Sequence, residues 1–301
     1  MAGSESVALC SRSTGQPDET PAHNSAKPWT SCMMPVCMHT GDGKKQHLTS
    51  ASRQTTSSVT LSRSILLCRK LAAEFVGTFL LILTAEGSAI MNELTKGALT
   101  YIGVGLAPGL AVTIIILSTG HISGAHLNPS ATLAFAIIKH HPWVEVPLYM
   151  VTQLVASILA SAALKGILQY DGAAGLTLPS KGSLQATIVE TIITFLMMFV
   201  ATALSVDKCA VKFLVGPAVG ASVFLNNIIA GALTGASMNP VRTLGPAIVF
   251  NNYRMVWVYI VGPTIGAILG SVTYILLRVD NENSCEQLGA ESNKNHEEKV
   301  G

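Results

Sequence analysis

Charge is scarce in this chain. Asp, Glu, Lys and Arg make up 12% of its 301 residues and aromatic residues only 6%, whereas soluble domains carry roughly 25% charged side chains. The deficit is concentrated: no Asp, Glu, Lys or Arg occurs from Gly97 to Ile138, and only sixteen occur from Leu71 to Arg278. That composition excludes an ordinary soluble catalyst and a nucleic-acid-binding domain with a basic face. A secretory signal is lacking as well, since the first 30 residues hold no apolar run, so the N-terminus is expected to stay cytosolic. Cysteine offers no framework. Cys10, Cys32, Cys37 and Cys68 lie in or beside the N-terminal tail, and Cys209 and Cys285 stand alone. Cys32 and Cys37 have no pair of histidines to complete a metal site, so free thiols and no metal are expected.

What is present is apolar: 49% of the residues are hydrophobic and the mean hydropathy is +0.47. A helix that crosses a bilayer needs about 20 such residues. Six segments qualify, at about Leu71–Met91, Ala98–Ser118, Val144–Leu164, Leu184–Val206, Phe213–Leu233 and Met255–Leu277. Two more apolar stretches, Asn128–Ile138 and Asn239–Phe250, are too short to cross. Both open on Asn-Pro, which starts a helix well: Asn caps the free N–H groups and Pro suits the first turn. The expected fold is an all-α membrane protein over residues 71–278. Residues 1–70 form a polar N-terminal tail and residues 279–301 an acidic C-terminal one. Neither tail has hydrophobic periodicity, so both are expected to be disordered. Ser284 and Ser292 in the acidic tail are candidate phosphorylation sites.

The core repeats itself. Ala-Glu-Phe-Val-Gly-Thr-Phe-Leu at 73–80 is echoed by Val-Glu-Thr-Ile-Ile-Thr-Phe-Leu at 189–196, and Asn-Pro-Ser at 128–130 by Asn-Pro-Val at 239–241. Glu74 and Glu190 are 116 residues apart, Asn128 and Asn239 111 apart. Each half, about 71–165 and 184–278, holds three spans and one half-helix. Three is odd, so the second half enters from the opposite side, and the two half-helices should meet near the bilayer midplane. Basic residues near the span ends number seven on the side of the tails and four on the other, which places both termini in the cytosol. Glycines at small-xxx-small spacing (Gly105/Gly109, Gly216/Gly220, Gly231/Gly235, Gly262/Gly266/Gly270) predict close helix contacts.

Candidate functional residues follow from this layout. Asn128 and Asn239 open two helices whose N-termini carry unpaired N–H groups and partial positive charge. Such ends would repel cations and protons while accepting neutral hydroxyl-bearing solutes. Arg242, three residues after Asn239, lies in a stretch where a charge must face water or a partner, and its place on the first turn of a half-helix puts it in the pore. Glu74 and Glu190 are read as structural, each carboxylate accepting hydrogen bonds from the re-entrant backbone, with a proton relay as the alternative. His121 and His126 are read as loop-packing or vestibule residues, with a pH gate as the alternative.

Gly120-His-Ile-Ser-Gly-Ala-His-Leu-Asn-Pro and Gly235-Ala-Ser-Met-Asn-Pro-Val-Arg-Thr-Leu-Gly-Pro-Ala resemble the two boxes of the major intrinsic proteins, the aquaporin family, and in particular its plant nodulin-26-like branch. The resemblance covers about residues 70–278. It implies the six-helix, two-half-helix aquaporin fold and a homotetramer in the plasma membrane. It also implies a passive channel for small neutral solutes, with no cofactor, no nucleic acid and no enzymatic turnover. The midplane boxes would be Asn128, Pro129, Ser130 and Asn239, Pro240, Val241. By position the selectivity constriction would be Pro108, Asn227, Ala236 and Arg242. Pro108 is neither the Phe of water-selective relatives nor the Trp of many nodulin-like members, and Ser130 and Val241 replace alanines as in boric-acid-transporting relatives. The expected solutes are metalloid hydroxides (boric acid, arsenite, silicic acid), then glycerol and urea, with modest water flux. A water/glycerol channel is the alternative. A coupled secondary transporter would need a second charge pair or a cation cage in the core, and a membrane enzyme would need clustered catalytic groups. The sequence displays neither.

Overall fold

The structure, a computed structural model, describes residues 52–208 and 210–278. The tail serines Ser284 and Ser292 and every cysteine except Cys68 lie outside the described residues. Eight α-helices occur among the described residues: α1 (Ser52–Leu94), α2 (Thr100–Ser123), α3 (Pro129–Ile137), α4 (Val146–Leu168), α5 (Ser183–Val206), α6 (Val215–Thr234), α7 (Pro240–Val249) and α8 (Val256–Leu277). A single 3₁₀ turn, Lys212–Leu214, leads into α6. By length and apolarity α2, α4, α5, α6 with its leading turn, and α8 can each cross a membrane. The Leu71–Met91 part of α1 supplies the sixth span, while α3 and α7 are the two half-helices.

One boundary differs from the sequence reading. The first helix starts at Ser52, so residues 52–70, assigned above to the tail, are helical. No Gly or Pro interrupts the chain between Gly43 and Gly77. Once the apolar span is helical, extension upstream costs little, because nucleation is already done.

Packing follows the repeat. α1 meets α2 and α4 in the first half, and α5 meets α6 and α8 in the second. The halves are joined by α2 against α6, α3 against α8 and α4 against α7, so each half-helix lies on the last span of the opposite repeat. Glycines set these approaches. A Cβ at Gly109 would stand 2.7 Å from the Gly220 carbonyl, and one at Gly220 would strike Thr113 and the Gly109 carbonyl. Gly262, Gly266 and Gly270 lay α8 on the α5 backbone at Thr187, Thr191 and Phe195 in the same way.

The bundle buries polar groups beside its apolar core and turns aliphatic side chains outward. Ile114 and Ile192 are 62% and 61% exposed in mid-helix, whereas Glu74, Gln153, Glu190 and Thr194 are fully buried. Aliphatic side chains facing outward suit lipid, and polar groups in the interior must then satisfy one another.

Candidate functional site

Asn128 and Asn239 cap α3 and α7. The side-chain oxygen of Asn128 accepts from the Ser130 N–H (2.9 Å), and that of Asn239 from the Val241 N–H (3.1 Å), with Pro129 and Pro240 filling the first helical positions. Each amide nitrogen then reaches across: Asn128 Nδ2 donates to the Met238 carbonyl and Asn239 Nδ2 to the Leu127 carbonyl, both at 2.8 Å. The two half-helix N-termini are therefore brought together. Because a primary amide carries two hydrogens, each Asn keeps one for a visitor.

The segments that approach these caps share an unusual backbone. Gly124, Ala125 and Leu127 have positive φ (93°, 47°, 56°), and Gly235, Ala236 and Met238 repeat it (83°, 44°, 55°). For residues other than glycine this conformation costs roughly 1–2 kcal/mol each. Buried carboxylates hold it in place. Glu74 accepts from Ser123 Oγ (2.8 Å), the His126 N–H (2.9 Å), the Leu127 N–H (2.8 Å) and Gln153 Nε2 (2.9 Å). Glu190 accepts from Thr234 Oγ1 (2.6 Å), the Ser237 N–H (3.0 Å) and the Met238 N–H (2.8 Å). Two buried tyrosines complete the pattern: Tyr149 donates to the Ser123 carbonyl (2.9 Å) and Tyr259 to the Thr234 carbonyl (2.6 Å). Sequence reasoning missed this pair. The available signal was a Tyr near the start of the last span of each half.

One cavity of about 330 Å³ runs between the helices, and Pro108, Asn128, Asn227, Ala236, Asn239 and Arg242 all line it. Pro129, Ser130, Pro240 and Val241 do not. Ser130 Oγ is instead paired with Thr264 Oγ1 (3.1 Å), and the Val241 carbonyl accepts from Ser157 Oγ (2.6 Å). Asn227 turns its Nδ2 onto the Val223 carbonyl of its own helix (2.9 Å). Arg242 Nη1 donates to the Gly175 carbonyl (2.8 Å).

The connection between α4 and α5 thus contributes wall residues, Gly175 and Leu176, that no motif in the sequence marks. Tyr101 was missed too. Its hydroxyl donates to the Asn227 carbonyl (2.7 Å) and accepts from the Ala232 N–H (3.1 Å), tying the start of α2 to α6 beside the constriction.

At the α3–α4 end, His126 borders the cavity and packs against Phe135, His141 and Tyr149, with ring centroids 4.7–5.4 Å apart, while His121 is exposed. Burial holds the imidazoles of His140 and His141 below their ordinary pKa. Lys212 adds to this for His140 and Lys70 for His141, where Glu145 works in the opposite direction. Lys70 and Glu145 form an ion pair at 3.0 Å. No cluster of metal-ligating side chains occurs among the described residues.

Comparison with known proteins accords with this geometry. The profile of the family described as Major intrinsic protein matches residues 61–274. The chain is similar to aquaporin NIP6-1 of Arabidopsis thaliana, 53% identical over 220 residues that cover 73% of this chain and 72% of that protein. It is also similar to aquaporin NIP3-1 of Oryza sativa subsp. japonica, 52% identical over 72% of this chain and 70% of the relative. Among solved structures, the X-ray structure of the aquaglyceroporin from Plasmodium falciparum superposes with a TM-score of 0.62 at 25% identity. It covers 69% of this chain and 95% of that one.

Proposed function

The chain belongs to the major intrinsic protein (aquaporin) family, and from that membership we propose that it passes small uncharged polar solutes, foremost metalloid hydroxides such as boric acid, arsenite and silicic acid. Glycerol and urea pass beside them, with modest water flux. The protein is a membrane channel for small solutes and not an enzyme. The observation that carries the reading is the meeting of the two capped half-helices in one cavity with Arg242. Each Asn amide offers a hydrogen to a solute hydroxyl, and two helix N-termini with a guanidinium oppose cations and protons.

The solute preference rests on the size and polarity of the constriction. Pro108 and Ala236 leave room where water-selective relatives are bulkier, and the Ser130 and Val241 boxes resemble those of boric-acid-transporting members. In this reading the channel is a homotetramer in the plasma membrane, with both termini cytosolic. A channel mainly for water and glycerol is the second reading, favoured by the likeness to a protein named an aquaglyceroporin.

Uptake of boric acid, arsenite, silicic acid, glycerol, urea and water, measured side by side in oocytes, separates the two. Boric acid or arsenite should enter well above controls while swelling in water stays modest. Pro108→Trp should suppress boric acid more than water. High water flux without metalloid uptake, or equal loss of both in the variant, would overturn the proposal.

A further inference from the structure

Glu86 is the one deeply buried acid of α1 that the repeat does not explain. Glu74 is matched by Glu190, but 116 residues beyond Glu86 stands Thr202. The two positions make equivalent links. Ser161 in α4 donates to Glu86 Oε2 (2.6 Å), and Thr202 bonds Ser271 in α8 (2.9 Å). Ser161 and Ser271 hold corresponding places, at the spacing of Tyr149 and Tyr259. A neutral hydroxyl therefore suffices to join the helices at this level in the second half. The first half uses a carboxylate that is 1% exposed and whose Oε1 has no hydrogen-bond partner.

The surroundings of Glu86 bring it up behind Arg242. Gly175, with φ +92°, presses on it: a Cβ there would stand 2.6 Å from Glu86 Cγ. The carbonyl of that same Gly175 holds Arg242 Nη1. Glu86 and Arg242 thus flank one backbone residue, close enough for their charges to interact. Arg242 is on the cavity side; Ala85 and Ala89 line the cavity but Glu86 between them does not. The other acid within electrostatic reach, Glu190, already has both oxygens occupied by Thr234, Ser237 and Met238.

We propose that Glu86 is a specificity-determining residue: its carboxylate, behind the wall at Gly175, balances the charge of Arg242 so that the constriction offers guanidinium hydrogens to neutral solutes without drawing in anions. An unbalanced cation in a low-dielectric wall attracts anions strongly, while a balanced pair leaves a short-range dipole whose positive end, on the cavity side, still opposes cations. For weak acids that pass as neutral hydroxides, this excludes the ionised conjugate base. The inference deepens the proposed function and in that respect rests on it.

The test is Glu86→Gln, which keeps shape and the Ser161 bond. Surface abundance is measured by biotinylation, anion current under voltage clamp in chloride or nitrate, and boric acid uptake by the parent in parallel. At parental surface abundance, the variant should pass an anion current on the order of tenfold above the parent, an energy change of about 1.4 kcal/mol, reversing near the anion equilibrium potential. A silent or cation-selective variant at that abundance overturns the proposal. Should Glu86→Gln fail to reach the surface, Glu86→Gln/Arg242→Gln decides. Restored abundance means that the lost partner of Arg242 was the defect; no restoration means a purely structural Glu86 and sinks the idea. The parent's boric acid uptake stands apart, so a wrong solute assignment is distinguishable from a wrong role for Glu86.

Discussion

A carboxylate at membrane depth is stabilised by the groups that occupy its oxygens, and in Glu190 these are largely backbone. Replacing it by Ala strands the Ser237 and Met238 N–H groups, both buried. At about 1–3 kcal/mol for each unsatisfied group, Glu190→Ala should cost about 2–6 kcal/mol. The positive-φ backbone at Ala236 and Met238 would lose its restraint at the same time. Thermal unfolding of the purified protein in detergent checks this, and an unchanged midpoint would show that the loop holds itself. The placement of Glu74 and Glu190 was legible because each heads a repeated motif. Glu86 was not, because the second half holds no acid in its register, and Gly175 was not, because its contact with Arg242 joins residues 67 apart through a connection of irregular backbone.

At the level of helices, local chemistry was decisive where it was strong. Asn-Pro places the starts of α3 and α7 at the residue, since the cap and the proline act on adjacent positions. The beginning of α1 was misjudged because polar composition argued for a tail while nothing in the chain forbade a helix. The glycine pairs carry the α2–α6 and α5–α8 contacts, which makes a differential prediction possible. Gly220→Ala drives a methyl into Thr113 and the Gly109 carbonyl, whereas a Cβ on Gly166, exposed in α4, meets nothing within 4 Å. Gly220→Ala should lower the melting temperature and surface abundance. Gly166→Ala should be neutral or stabilising by about 0.5–1 kcal/mol, from helix propensity alone. Equal behaviour of the two would mean that α2 and α6 are not in tight contact.

For the whole molecule, one end of the bundle gathers titratable groups. His140 and His141 lie where α1 brings Lys70, the cap of α4 brings Glu145 and the chain before α6 brings Lys212. Their pKa values are held below the ordinary 6.5, burial being the main cause. The unfolded chain therefore binds protons before the folded one does. The contribution of these two groups to stability is level above about pH 7 and falls as pH drops through 6.5 and below. Melting temperatures at pH 7.5 and 5 should show that loss. His140→Asn/His141→Asn should shrink it, and a loss of the same size in the variant would assign the acid sensitivity to other groups.

The reciprocal bonds between the Asn amides and the opposite carbonyls also decide where such a pore can be throttled. Each half-helix is latched to the loop of the other repeat, so shifting either one breaks contacts in both halves at once. The centre behaves as a keystone and is the costliest place for a moving part. A valve belongs at the mouths, away from the two asparagines, where a side chain can move without disturbing the latch.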